Sequence, residues 1–211
     1  MARKPASTHY RNELRSNILT EAYKLFLKNG IRAVKMDDIA HHLGISKRTL
    51  YEIYANKEDV VLESFRLHIE TSKRELQEKM SHTDDAMDIL TEFLKMRFNE
   101  IKDMNPCFFE DIRMYPRVLE FFEHRNEEHK AQTHEFFRKG QEQGYFITGL
   151  RFDIIDDVGN SVVDNFRGSG KYADKSYPIK DVFQIMMIFF VRSMCTIKGI
   201  ERLDKTILNN E

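Results

Sequence analysis

Proline and glycine are scarce in this sequence, four and nine of 211 residues. With so few breakers, and no strand-like alternation sustained over a useful length, an all-α chain is expected. Cysteine is rarer still. Cys107 and Cys195 lack C-x-x-C spacing and fall in helical patterns. They are expected to be reduced core residues of a cytosolic protein, a disulfide between them being the lesser alternative. Long hydrophobic runs are missing. The longest, Val182–Val191 interrupted only by Gln184, is about half of a membrane span and is flanked by Asp181 and Arg192. The N-terminus, MARKPASTHYRNE, has no apolar stretch of the kind a signal peptide needs. A soluble, cytoplasmic chain with no membrane partner is expected. Catalytic and metal signatures are missing too. None of the eight histidines follows a glutamate by three positions, and H-E-x-x-H does not occur. His124, His129 and His134 recur every five residues, about 140° per step on a helix, so they diverge and are expected to be solvated. Neither a metal nor a cofactor is expected, and an enzyme built on a helical bundle is the less favoured reading. No internal repeat or low-complexity tract occurs, and the length suits one or two domains.

Charge of a single sign is missing overall, with 33 Lys+Arg against 34 Asp+Glu. The distribution is uneven, however. Residues 1–60 carry 11 Lys+Arg and 7 Asp+Glu, a net +4, which leaves −5 on the remainder. A basic head on an acidic body is the asymmetry expected when one end meets nucleic acid.

The head holds the most informative stretch, residues 30–57, GIRAVKMDDIAHHLGISKRTLYEIYANK. Ile39 and Leu43 are four apart and share one face of a short helix. Leu50 and Ile53 are three apart and share one face of a second. Gly44 ends the first helix with a positive φ at little cost. Ser46 is placed to N-cap the second. Ala40 is small enough for two backbones to approach. This pattern, at 36–54, predicts a helix-turn-helix whose second helix enters a DNA major groove. With the apolar face inward, Lys47, Arg48, Thr49, Tyr51 and Tyr54 face outward, a set suited to phosphates and base edges.

The stretch resembles the DNA-binding domain of the tetracycline-repressor (TetR) family. The matching residues are Gly30, Asp38-Ile39-Ala40, Leu43-Gly44-Ile45-Ser46-Lys47, Thr49-Leu50-Tyr51, Tyr54 and Asn56-Lys57-Glu58. A generic helix-turn-helix would share only the apolar positions, Ala40 and Gly44. The resemblance implies an all-α fold of about nine helices: a three-helix DNA-binding domain at 1–57 and an effector-binding and dimerisation domain at 58–211. It also implies a homodimer on a palindromic operator in double-stranded DNA. Arg48 is the first candidate for base reading, because its fork matches the O6/N7 edge of guanine. Lys47 suits a base or a phosphate, and Thr49 a thymine methyl or a phosphate. Tyr51, Tyr54 and Lys57 suit phosphates, with plain packing an equal alternative for Tyr54. Ser46 completes the candidate contact set. The chain departs from the family pattern in two places. Val34-Lys35-Met36 stands where a hydroxyl residue usually caps the first motif helix, which leaves Lys35 as a phosphate contact. Ile53 stands where His or an aromatic residue is usual. Glu52 adds a negative charge close to the DNA face.

Elsewhere the pattern is architectural. Arg3 and Lys4 lie in a polar arm at 1–10 that is expected to be mobile. Leu14, Ile18, Ala22, Leu25 and Phe26 form a stripe that supports the motif. A fourth helix, capped by Asn56, connects head to body. Ile155, Val158, Gly159, Val162, Val163 and Phe166 line a helix at about 152–167. The helix at about 178–198 is apolar on nearly all sides and so must be buried all round. A second subunit accomplishes this, and the resemblance implies a four-helix dimer interface from these two helices. Between them, Gly168-Ser169-Gly170-Lys171 is expected to be a flexible connection. The body is rich in Phe and Met, soft residues suited to an apolar or aromatic effector, with Phe93, Met96, Phe108, Met114 and Phe122 the candidate lining. By resemblance, that effector would shift the body against the fourth helix and release DNA. The competing reading is a protein–protein adaptor that keeps the head without a small-molecule response.

Overall fold

Local caps and breakers divide the chain into ten α-helices among the described residues. The computed structural model describes residues 8–168 and 178–207, the side chains of Thr8 and of 163–168 excepted. The elements are α1 (Thr8–Asn29), α2 (Met36–His42), α3 (Lys47–Ile53), α4 (Lys57–Lys79), α5 (Ala86–Glu100), α6 (Phe108–Ile112), α7 (Pro116–Glu142), α8 (Phe152–Gly168), α9 (Ile179–Ser193) and α10 (Ile197–Ile207), with a 3-10 turn at Ile101–Asp103. Their starts follow from capping chemistry. The Ser46 hydroxyl accepts from the Thr49 N–H at 3.0 Å, and the Asn56 side-chain Oδ1 from the Asp59 N–H at 2.9 Å. Asp85 accepts from the N–H groups of Met87 and Asp88. Each satisfies donors that the first helical turn leaves open. Gly30 closes α1 at φ 85°.

Two apolar clusters hold these helices together. The first joins the head (Ile18, Ala22, Phe26, Ile39, Leu50) to α4 and the body (Val61, Phe65, Ile101, Phe108, Ile112, Val118). The second, at the far end, gathers Met87, Leu90, Leu94, Phe146, Val191, Met194 and Leu203 from α5, the α7–α8 connection, α9 and α10.

Several expectations need correction. The helix expected to run continuously over about 178–198 stops at Ser193, and α10 begins at Ile197, so the expected all-α fold of about nine helices has ten among the described residues. The cause is a hook between two turns. The Ile147 N–H donates to the Met194 carbonyl, and the Thr196 N–H to that of Tyr145, both at 2.9 Å. Thr196 then caps α10, its hydroxyl accepting from the Gly199 N–H at 3.2 Å. Cys107 is not a core residue. It is exposed just before α6, whereas Cys195 is buried as expected. His134 is not simply solvated, because its Nε2 lies 2.6 Å from Asp156 Oδ2 and ties α7 to α8. Arg3 and Lys4, the Ser169-Gly170-Lys171 connection and the side chains of Val163 and Phe166 lie outside the described residues. No helix among the described residues is long and apolar enough to cross a membrane.

Candidate nucleic-acid interface

The turn between α2 and α3 is built from the residues the spacing singles out. Leu43 caps α2, and Gly44 takes φ 63°, with nothing near the place a Cβ would occupy. The Ile45 N–H then returns to the Ala40 carbonyl at 3.0 Å. Ile39 and Leu50 are fully buried, and Ala40 nearly so, beneath Ile18, Ala22 and Phe26 of α1. Burying Leu50 fixes the rotation of α3 and so turns its other side to solvent.

On that side stand Lys47, Arg48 and Tyr51. The Arg48 side chain is 89% exposed and Tyr51 is half exposed. Both cations already have acidic neighbours. Arg48 Nε donates to Glu52 Oε1 at 2.8 Å, and Lys47 pairs with Asp37 across the turn. These are surface pairs, easily exchanged for another anion such as a phosphate. The hydrogen bond that Arg48 donates to Glu52 also holds its guanidinium above its ordinary pKa. Asp37, in the first turn of α2, was not singled out by the spacing. Its partner lies ten residues away across the turn, so only the fold pairs them.

Other candidate contacts are placed differently. The Ser46 hydroxyl is committed to its cap and to the Thr49 hydroxyl at 2.8 Å, which leaves Thr49 partly occupied as well. Lys35 occupies the cap position of α2 without a side-chain cap bond. Its backbone N–H donates to Asp38 Oδ2 at 2.8 Å. Its ammonium is exposed and makes no hydrogen bond or ion pair among the described residues. Lys57 is half-buried, its ammonium 3.3 Å from the Arg32 carbonyl. Burial lowers its pKa, partly offset by Asp111 and Asp38. Tyr54 is a packing residue. Only 4% of it is exposed, the Arg15 guanidinium lies 5.2 Å from its ring centroid, and burial raises its phenol pKa. The outward position read from the spacing is therefore corrected to an inward one, because α1 closes over that end of α3.

The five candidate effector residues do not form a single lining, although Phe108 and Phe122 both pack on Phe65. Phe108 is buried against Tyr23, Phe65 and Phe109, and Phe122 packs edge-on against Phe65 at 5.4 Å. Met96 is half-buried, while Phe93 is 38% and Met114 60% exposed. Phe108 thus serves as core and Met114 lies at the surface.

The body grips the head at points the sequence did not reveal. Asp111 of α6, itself buried, accepts from the Arg32 N–H at 2.7 Å. The Asn105 N–H donates to the Leu27 carbonyl at 2.8 Å, and Arg117 donates to Asp59 at 2.6 Å. Each bond links an end of α1 or α4 to a residue many positions away, and no local pattern announces it.

Residues 18–63 match a family model described as "Bacterial regulatory proteins, tetR family". An HTH-type transcriptional repressor of Mycobacterium tuberculosis, KstR2, is 25% identical over 150 residues, covering 68% of this chain and 74% of KstR2. A transcriptional regulator from Saccharomonospora viridis, solved in complex with choline, superposes with a TM-score of 0.65 at 18% identity, over 88% of this chain and 99% of that one. A TetR-family regulator from Agrobacterium tumefaciens gives 0.66 at 13% identity, over 88% and 100%. At these identities the structural likenesses speak for the fold.

Proposed function

We propose that this chain, whose residues 18–63 match the tetR-family model, is a TetR-family transcriptional regulator that works as a cytoplasmic homodimeric repressor. It occupies a palindromic operator and is released by a small apolar or aromatic effector. The observation that carries the reading is the exposed face of α3: Lys47, Arg48 and Tyr51 outward, Leu50 inward. Arg48 reads a base edge, Lys47 and Thr49 a base or a phosphate, and Lys35, Tyr51 and Lys57 hold the backbone and fix register.

Two copies are needed to present two such helices about 34–36 Å apart, one turn of DNA. An exposed apolar surface on the last helices supports pairing. Ile154 and Val158 on α8 and Ile185 and Phe189 on α9 are each at least half exposed, Phe189 at 70%. Such a surface on a charged chain marks an interaction site. Close packing of the two helices is permitted by Gly159, where a Cβ would sit 3.0 Å from the Phe190 ring.

Release follows from the grip of the body on the head. A ligand that repacks the aromatic body shifts α6 and α7, whose Asp111 and Arg117 hold the turn after α1 and the start of α4. The repressor KstR2 supports the repressing mode, and the neighbour solved with choline is consistent with a fold that holds a small molecule.

Sedimentation of the protein with operator duplex tests the proposal. Wild type should bind as two protomers per duplex. Phe189→Asp should be monomeric, retain its helical spectrum and lose most operator affinity. A Phe189→Asp protein that still dimerises and binds would contradict the interface. A wild-type monomer bound singly would contradict the dimeric reading.

A further inference from the structure

A polar cluster where α1 meets the body takes no part in the DNA-reading face. Glu100 on α5 lies at its centre, its side chain only 15% exposed. Its Oε1 accepts from the Tyr23 hydroxyl and lies 2.5 Å from His68 Nε2, while Oε2 accepts from Arg97 Nη1 at 2.8 Å. The Tyr23 and His68 rings stack at 3.9 Å. Burial alone would raise the Glu100 pKa, but the bonds from His68, Arg97 and Tyr23 together lower it. Glu100 is therefore an ionised carboxylate already shared among three donors.

Two guanidiniums exceed what that one carboxylate neutralises. Arg97 has its Nε buried with no hydrogen-bond partner. Arg125 lies on α7, which packs against the α5 helix that carries Arg97; it is half-buried and makes no hydrogen bond or ion pair among the described residues. Burial lowers its pKa and repulsion from Arg97 lowers it further. A partly buried guanidinium without an anion is costly, and a carboxylate or phosphate is the partner its fork fits. Apolar surface adjoins the pair. The Phe93 ring lies 5.8 Å from Arg97 and is 38% exposed, while Phe121 and Phe122 are half-buried one turn before Arg125 on α7.

We infer that Arg97 and Arg125 receive the acidic group, carboxylate or phosphate, of an amphipathic effector whose apolar part lies along Phe93, Phe121 and Phe122. The inference rests on the effector reading above and narrows it to acids. It also gives the ligand a route to the head. An anion that draws Arg97 away from Glu100 changes the partner of Tyr23, and Tyr23 belongs to α1, the helix that supports α3.

Calorimetric titration of the full-length protein with octanoate, octyl phosphate and 1-octanol tests it. The three probes share a chain and differ in head group, and the two acids separate carboxylate from phosphate. At least one acid should bind wild type, about tenfold or more weaker to Arg125→Gln, with part of the affinity retained in Arg125→Lys. Octanol should bind more weakly and equally to all three proteins. Because Arg125 is unpaired, Arg125→Gln should fold at least as well as wild type, which circular dichroism checks. Octanol binding as tightly as the acids, acid binding indifferent to Arg125→Gln, or no binding of any probe would overturn the inference. Operator affinity measured with each probe separates it from its premise. An acid held by Arg125 that leaves operator affinity unchanged removes the effector reading and keeps the anion site. Operator release by octanol, independent of Arg125, keeps the effector reading and removes the acid.

Discussion

Arg48 and Glu52 set the balance between reading and merely sticking. They are four apart on α3, paired at 2.8 Å, and both exposed. In the proposed DNA complex, Glu52 would stand near the phosphates and oppose every sequence alike, while Arg48 would favour only those that offer it an acceptor edge. Glu52→Gln should therefore raise affinity for non-operator duplex severalfold and narrow the ratio of specific to non-specific binding. Binding to a scrambled duplex at two salt concentrations measures this, and unchanged non-specific affinity would contradict it. The two cysteines differ as sharply. Cys195 is buried, its thiol donates to the Val191 carbonyl at 3.3 Å, and burial pushes its pKa up to about 11. Cys107 is exposed. Since the thiolate is the reactive form, iodoacetamide at pH 8 should place one adduct on the native chain, at Cys107. Peptide mass mapping checks it, and equal labelling of Cys195 would refute the packing of the α9–α10 turn.

The second cluster depends on that turn at the level of elements. A Cβ at Gly199, in the first turn of α10, would sit 2.2 Å from the Tyr145 carbonyl oxygen. That oxygen accepts from the Thr196 N–H, so it has little freedom to move. Gly199→Ala should cost about 1–3 kcal/mol by overpacking, more than the ~1 kcal/mol that alanine gains in helix propensity. The melting temperature should fall by about 2–10 °C, and an unchanged one would show that the hook yields. The break between α9 and α10 was hard to read from the sequence. Met194, Ile197 and Ile200 continue the helical spacing, and only the Thr196 cap signals a new start. The head was legible because its logic is local: Ser46 to Thr49, Asn56 to Asp59, Gly44 at the turn, Leu50 three before Ile53. Tyr54 was not, since Arg15, which covers it, lies 39 positions earlier. The body was least legible. Its phenylalanines are alike in sequence, and only packing tells Phe108 in the core from Phe93 at the surface.

At the scale of the whole molecule, one apolar cluster runs from the head into the body, and Asp111, Asn105 and Arg117 lock the two together. Under the proposed mechanism, a chain so built would transmit a change in the body to the position of α3 without a separate hinge. All of this has meaning only if α3 reads sequence. The most direct test is selection from a pool of random duplex DNA by wild type and by Arg48→Ala, at two salt concentrations. The account expects wild type to enrich a palindrome whose half-sites lie about one helical turn apart, and Arg48→Ala to lose or relax a position in each half-site. No enrichment, or the same palindrome from Arg48→Ala at full strength, would contradict the assignment of α3 and Arg48 as the reading elements. Weak binding that vanished with salt would leave only a basic surface.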